Sequence, residues 1–256
     1  MTKKISILGC GWLGLPLANK LSQIGYFIKG STTSASKAAV LKSKGIIPYI
    51  INLGHKENKF LDFLDAEILI ICIPSKNKAD FKRLIAKIEE SEIQKVIFIS
   101  SISVYPLKNQ LVTEDTAVSG PLAEIEKLFI SSSYFSTTII RFGGLFGYDR
   151  KPGKFIKNDK PLKNPDGFVN LIHRDDCTQI IENIIQKDVW NEVFNASADT
   201  HPKRKDFYKK EMLKMGRAAP LIDKDSESLY KIISSEKLKT LLNYSFIYSD
   251  LLNYEN

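Results

Sequence analysis

Cysteine is scarce in this chain of 256 residues: Cys10, Cys72 and Cys177 stand far apart, with no C-x-x-C pair. That spacing excludes a zinc ribbon and a disulfide-framed secreted fold, and it fits a reducing cytoplasm. No metal site is expected. Long apolar runs are also missing. The longest, Ile68 to Ile73, is far shorter than the roughly 20 residues that cross a bilayer, so no membrane partner is expected. The opening Met1-Thr-Lys-Lys followed by Ile5 to Leu8 has the order of a signal peptide, but Gly9, Gly11 and Gly14 interrupt it at once. It reads as a strand. Internal repeats and low-complexity segments are absent, and 43% hydrophobic with 26% charged residues excludes long disorder and coiled coil.

The most informative absence is of acid. Residues 1–56 contain eight lysines and no Asp, Glu or Arg, the first carboxylate being Glu57. From there on, 29 basic residues face 29 acidic ones, so the net charge of +8 belongs to the N-terminal stretch. Basic and aromatic residues do not interleave as they do in RNA- or DNA-binding modules, and nucleic acid is not an expected partner.

What is present is an alternation of periods. Lys4 to Gly9 is a β-rich run that ends in Gly9-Cys-Gly11-Trp-Leu-Gly14, after which Leu13, Leu17, Ala18, Leu21 and Ile24 recur at helical spacing up to Gly25. Further strands are expected at Tyr26 to Lys29, Ile46 to Ile51, Ile68 to Ile73, Val96 to Ile99 and Thr137 to Arg141. Helices fall between them, around Ala38 to Leu41, Phe81 to Ile88 and Pro121 to Ile130. Continuously apolar strands alternating with helices predict an α/β fold with a doubly wound parallel sheet of the NAD(P)-binding Rossmann type. Residues 1–147 form its dinucleotide-binding domain. A strand near Phe168 to Ile172, a helix Asp175 to Ile185 and a strand Val193 to Ala196 return to that domain over 168–197. Residues 148–167 and 198–256 supply a substrate-side loop and a small C-terminal cap.

A strand, a glycine turn and a helix in this order bind dinucleotides. Gly9 permits the tight turn, Gly11 lets backbone approach a pyrophosphate, and Gly14 permits close packing of helix on strand. Trp12 and Leu13 offer backbone N–H groups at the positive end of the helix. A carboxylate about 20 residues further on would select NAD, and here there is none. Instead Ser31, Thr32 and Thr33, with Lys29 and Lys37 flanking them, make a phosphate nest, so NADP is expected and NAD is the lesser alternative.

Five segments in one order resemble extended or atypical short-chain dehydrogenases/reductases of the NAD-dependent epimerase/dehydratase group. They are Gly9-x-Gly11-x-x-Gly14, Ser100-Ser101-x-x-Val104-Tyr105, Arg141 to Gly147, Asn170 to Asp176 and Glu192 to Ala196. Among these proteins the chain is most similar to short bacterial members with a G-x-G-W-L-G turn. The resemblance implies that Ile73, Pro74 and Ser100 contact the cofactor and that Ser101 orients a reacting oxygen. It also implies that Arg150, Lys154, Asn170 and His173 face a small, anionic hydroxyl or carbonyl substrate. The group's base, a tyrosine with lysine four residues later, is missing: the matching positions hold Val118 or Ser119 and Leu122 or Ala123. Tyr105, Tyr148, His173 and Glu124 are the candidates to replace it, and the sequence does not choose among them; Tyr105, on the same loop as Ser101, is the first to test. A monomer or homodimer acting as an oxidoreductase or epimerase-like enzyme is the leading expectation. A non-catalytic NADP-binding redox sensor is the alternative.

Overall fold

The alternation of strands and helices is realised in a computed structural model that describes residues 3–54, 60–157 and 160–254. In chain order the elements are β1 (Lys4–Leu8), α1 (Gly14–Gln23), β2 (Phe27–Thr32), α2 (Ala35–Ser43), β3 (Ile47–Ile50), α3 (Phe60–Leu64), β4 (Ile68–Ile71), α4 (Lys78–Glu89) and β5 (Lys95–Ser101). They continue with β6 (Gln110–Val112), α5 (Pro121–Ile130), β7 (Ser136–Phe142), β8 (Gly144–Phe146), β9 (Leu171–His173), α6 (Arg174–Gln186) and β10 (Val193–Ala196). The last are α7 (Arg204–Lys214), β11 (Lys231–Ile233) and α8 (Glu236–Leu242).

Seven strands form one parallel sheet in the order β10-β7-β5-β4-β1-β2-β3. From β1 the chain steps outward through β2 to β3, then crosses back to β4 on the other side of β1. That reversal leaves a crevice at the carboxyl ends of the strands, where open α/β sheets bind ligands.

The chain divides into two compact units: Met1–Ser100 with Ser119–Ile140 and Thr178–Val193, and Ser101–Val118 with Arg141–Cys177 and Phe194–Asn256. In the first unit, β4 is buried at every position, as a strand covered on both faces must be. Helix α1 buries Gly14, Leu17, Ala18 and Leu21 along one stripe. Helix α4 starts where Asn77 Oδ1 accepts from the Ala79 N–H, and it buries Phe81, Leu84, Ile85 and Ile88. Phe81, Phe98 and Phe129 meet at ring-centroid separations of 4.9 to 5.9 Å. Each such ring contributes roughly 1.5–3 kcal/mol of burial energy.

The second unit carries two small sheets, β11-β6 and β8-β9. Here the structure corrects an expectation. The strand placed at Phe168 to Ile172 begins at Leu171 and pairs with β8, not with the large sheet. The reason lies in Gly143 and Gly144. A Cβ on Gly143 would lie 2.9 Å from Asn170 O, and one on Gly144 would lie 2.5 Å from Leu171 Cδ2. Two residues without side chains let the backbones close, and Gly144 N–H donates to Asn170 O at 2.9 Å. Strand β10, in contrast, does join the large sheet. No helix among the described residues is long and apolar enough to cross a membrane.

Candidate functional site

In the first unit a cleft of ≈ 430 Å³ opens where the carboxyl ends of β1 to β4 converge. Gly9, Gly11, Ser31, Thr32, Thr33, Lys37, Ile73 and Pro74, all expected at a cofactor, line it. The glycine turn is built as its spacing suggests. Gly9 has φ +98°, a region that L side chains rarely adopt, and Gly11 N–H turns back to Gly9 O at 2.9 Å. A Cβ on Gly14 would run into Gly9 O, so this glycine seats α1 against the turn. A Cβ on Gly11 would meet nothing within 4 Å: its hydrogen faces open space. Leu13 is buried, and neither it nor Trp12 nor Gly14, all expected at the cofactor, lines the cleft.

The phosphate nest differs from its expected form. Strand β2 does not stop at Lys29 but continues to Thr32, because Ile51 N–H extends the β2–β3 ladder by donating to Thr32 O. Lys29, expected beside the phosphate, does not line the cleft and is 5% exposed. Its Nζ donates to Asp62 O and Asp65 O at 2.5 and 2.8 Å and pairs with Asp65 Oδ2 at 3.3 Å. Ser31 and Thr32 are buried, and Ser31 Oγ accepts the Gly9 N–H at 2.9 Å, which ties the glycine turn to β2. Thr33 and Lys37 remain exposed.

Sequence spacing missed several members of the cleft. Asn52 and Leu53 come from the end of β3, Cys10 and Cys72 from the floor, and Asp80 from the first turn of α4. The end of β3 lies beside β2 in any doubly wound sheet, so Asn52 was inferable from topology. Asp80 was not, since only folding brings a residue at that distance to the acid-free N-terminal stretch. Its charge is offset by an ion pair with Arg83 on the same helix. Burial pushes the Cys10 thiol up to about 12, and burial with the nearby Cys10 raises Cys72 as well.

At the end of β5, Ser100 is buried and donates to the Glu126 carboxylate of α5. Ser101 Oγ accepts from Ser103 N–H at 3.1 Å, capping the short 3₁₀ turn Ile102–Val104. Tyr105 lies in the second unit and is 2% exposed. Its hydroxyl donates to Asn195 Oδ1 at 2.8 Å and accepts from Arg141 Nη1 at 2.5 Å. Burial raises the phenol's pKa against the opposing pull of Arg141. A phenol that is protonated, buried and already bonded at both ends is poorly suited to remove a substrate proton. We expect Tyr105→Phe to remove one buried hydrogen bond from each of Arg141 and Asn195, at a cost of about 1–3 kcal/mol. Thermal melting should then occur roughly 3–10 °C lower, with cofactor affinity unchanged.

The other candidates are engaged too. Asn170 clamps β11 at both ends of its amide: Nδ2 donates to Lys231 O at 2.9 Å and Oδ1 accepts from Ile233 N–H at 3.0 Å. Both polar groups of this amide, expected at a substrate, are thus engaged within the protein. His173 is 3% exposed and packs on the Tyr248 ring at 3.7 Å, and its Nδ1 accepts from Asp175 N–H. A Cβ on Gly147 would strike its Nε2, so the turn closes over the ring. Burial lowers the imidazole's pKa and favours the neutral form. Tyr148 donates to Asp175 Oδ1, and exposed Glu124 is held low by its ion pair with Lys78. Arg150 and Lys154 are exposed.

No family model matches the chain. Protein YeeZ of Escherichia coli (strain K12) is 30% identical to it over 269 residues, with 98% of each chain covered. A UDP-glucuronic acid 4-epimerase from Bacillus cereus, solved in complex with NAD, superposes with a TM-score of 0.75 at 20% identity, over 94% of this chain and 93% of that one. A short-chain dehydrogenase/reductase superfamily protein from Agrobacterium tumefaciens with bound NAD gives 0.74 at 15% identity, over 97% and 94%. By whole-length identity the chain belongs to the family of protein YeeZ, and its fold is that of the epimerase/dehydratase group of short-chain dehydrogenases/reductases.

Proposed function

We propose that the chain is an NADP-binding oxidoreductase or epimerase/dehydratase-like enzyme of the cytoplasm, a monomer or homodimer acting on a small anionic hydroxyl or carbonyl compound. The observation that carries this reading is the cleft. Its glycine turn leaves open space at Gly11 alone, the position where a pyrophosphate needs backbone without a side chain. Its rim presents Thr33 and Lys37, and its one carboxylate among the described residues, Asp80, is neutralised by Arg83. Bound NADP would supply hydride transfer. The chain's own part is to hold the cofactor at Gly9 to Gly14 and to orient the reacting oxygen with Ser101.

NADPH should bind at least tenfold more tightly than NADH, because charge-assisted hydrogen bonds to a phosphate contribute about 1.5–3 kcal/mol and tenfold requires about 1.4. Fluorescence titration of the purified protein measures both constants. Equal affinities would remove the case for NADP.

One observation favours a second reading, a non-catalytic redox sensor. The Tyr-Lys pair is absent, and the Tyr105 hydroxyl is bonded to both Asn195 and Arg141. Oxidation of NADPH with a panel of aldehydes, ketones and keto-sugars separates the two, since a sensor gives no turnover with any of them.

A further inference from the structure

The second unit holds a pocket of its own, ≈ 220 Å³, bordered by Arg204, Tyr208, Phe168, Tyr230, Lys231 and Asn164. Its two cations are the point of interest. Lys231 is half-buried, and two of its three ammonium protons go to Ile102 O and Tyr105 O at 2.7 Å each. Arg204 makes a 3.4 Å hydrogen bond to Lys163 O and packs against the Tyr208 ring. Among the described residues, neither side chain forms an ion pair with a carboxylate. Removing unpaired charge from water is costly, and burial already lowers the Lys231 pKa.

We propose that this pocket binds a compact organic oxyanion, a carboxylate or phosphate monoester. The anion lies between Arg204 and Lys231 and supplies the counter-charge that both lack. The ligand's apolar body packs on the aromatic wall formed by Phe168 and Tyr230, whose rings meet edge to face at 5.0 Å. The volume sets an upper size, being below the roughly 300–1,000 Å³ of pockets that enclose drug-sized ligands. A nucleotide-linked sugar does not fit within it. This inference is independent of the dinucleotide reading, because every lining residue belongs to the second unit and the cleft is built wholly from the first.

Calorimetric titration of the full chain with mandelate, its neutral isostere mandelamide, and phenyl phosphate tests the proposal. Mandelate or phenyl phosphate should bind with Kd below about 1 mM, and the one that binds more tightly identifies the oxyanion. Mandelamide should bind at least about tenfold more weakly, as should the better anion to Arg204→Gln, given the strength of charged hydrogen bonds. Leu107→Trp, at a half-exposed lining position, should fill the pocket and abolish binding while NADPH affinity stays unchanged in both variants. Equal binding of amide and acid, an undiminished Arg204→Gln, or no binding by either anion overturns the proposal. Loss of NADPH affinity in wild type would instead count against the dinucleotide reading.

Discussion

Gly11→Val is expected to fold normally and to bind neither NADPH nor NADH, with a loss of at least about a hundredfold, or roughly 2.7 kcal/mol. The argument rests on the difference between three glycines in one turn. Gly9 sits at φ +98° and its Cβ position lies 2.6 Å from Ile73 Cγ2, while a Cβ on Gly14 would collide with Gly9 O. Substitution at either disturbs the protein itself. Gly11 has neither restriction, so a valine there protrudes into space that only a ligand would use. A melting temperature close to wild type together with absent cofactor quenching is the expected pair of results. Retained binding would mean that the turn is purely structural. A collapsed melting temperature would mean that the open space is filled by the protein's own motion.

Ser101→Ala is expected to leave NADPH affinity nearly unchanged and to lower turnover ten- to a thousandfold, since one donor to developing charge is typically worth a few kcal/mol. Two consequences of the substitution must be kept apart. The Ser101 hydroxyl also caps the 3₁₀ turn that follows it, and losing a cap costs about 0.5–2 kcal/mol of stability. Ser101→Thr keeps both hydroxyl functions and should restore most of the rate and the melting temperature. Ser101→Asn keeps a capping oxygen without a hydroxyl, so it should restore stability but not rate. Rates that follow stability across all three variants would make Ser101 a structural residue. Wild-type protein without turnover on any carbonyl compound would favour the sensor.

The sheet and the glycine turn at its edge were legible because their signals are local. A glycine turn between a β-run and an amphipathic stripe fixes β1 and α1, and a fully apolar run such as Ile68 to Ile71 has one stable setting, between covered neighbours. What escaped the sequence was decided by pairing. Lys29 reads as a cation near the cofactor until the fold brings Asp62 and Asp65, more than thirty residues later, to its ammonium group. Asn170 reads as a substrate ligand until β11, some sixty residues later, takes up both ends of its amide. The strand at 171–173 reads as part of the large sheet until Gly143 and Gly144 offer a closer partner. Asp80 enters the cleft through α4 with no sequence signal at all.

Cys10 and Cys72 in the floor of the cleft have a consequence for the protein's chemistry in an oxidising or alkylating environment. Sulfur reacts as the thiolate. Burial raises the Cys10 thiol to about 12 and shifts Cys72 in the same direction, so both stay protonated at neutral pH. Peroxides and maleimides therefore find almost no nucleophile there. The floor of the cleft is therefore expected to resist thiol-directed reagents that would attack an activated cysteine in the same place.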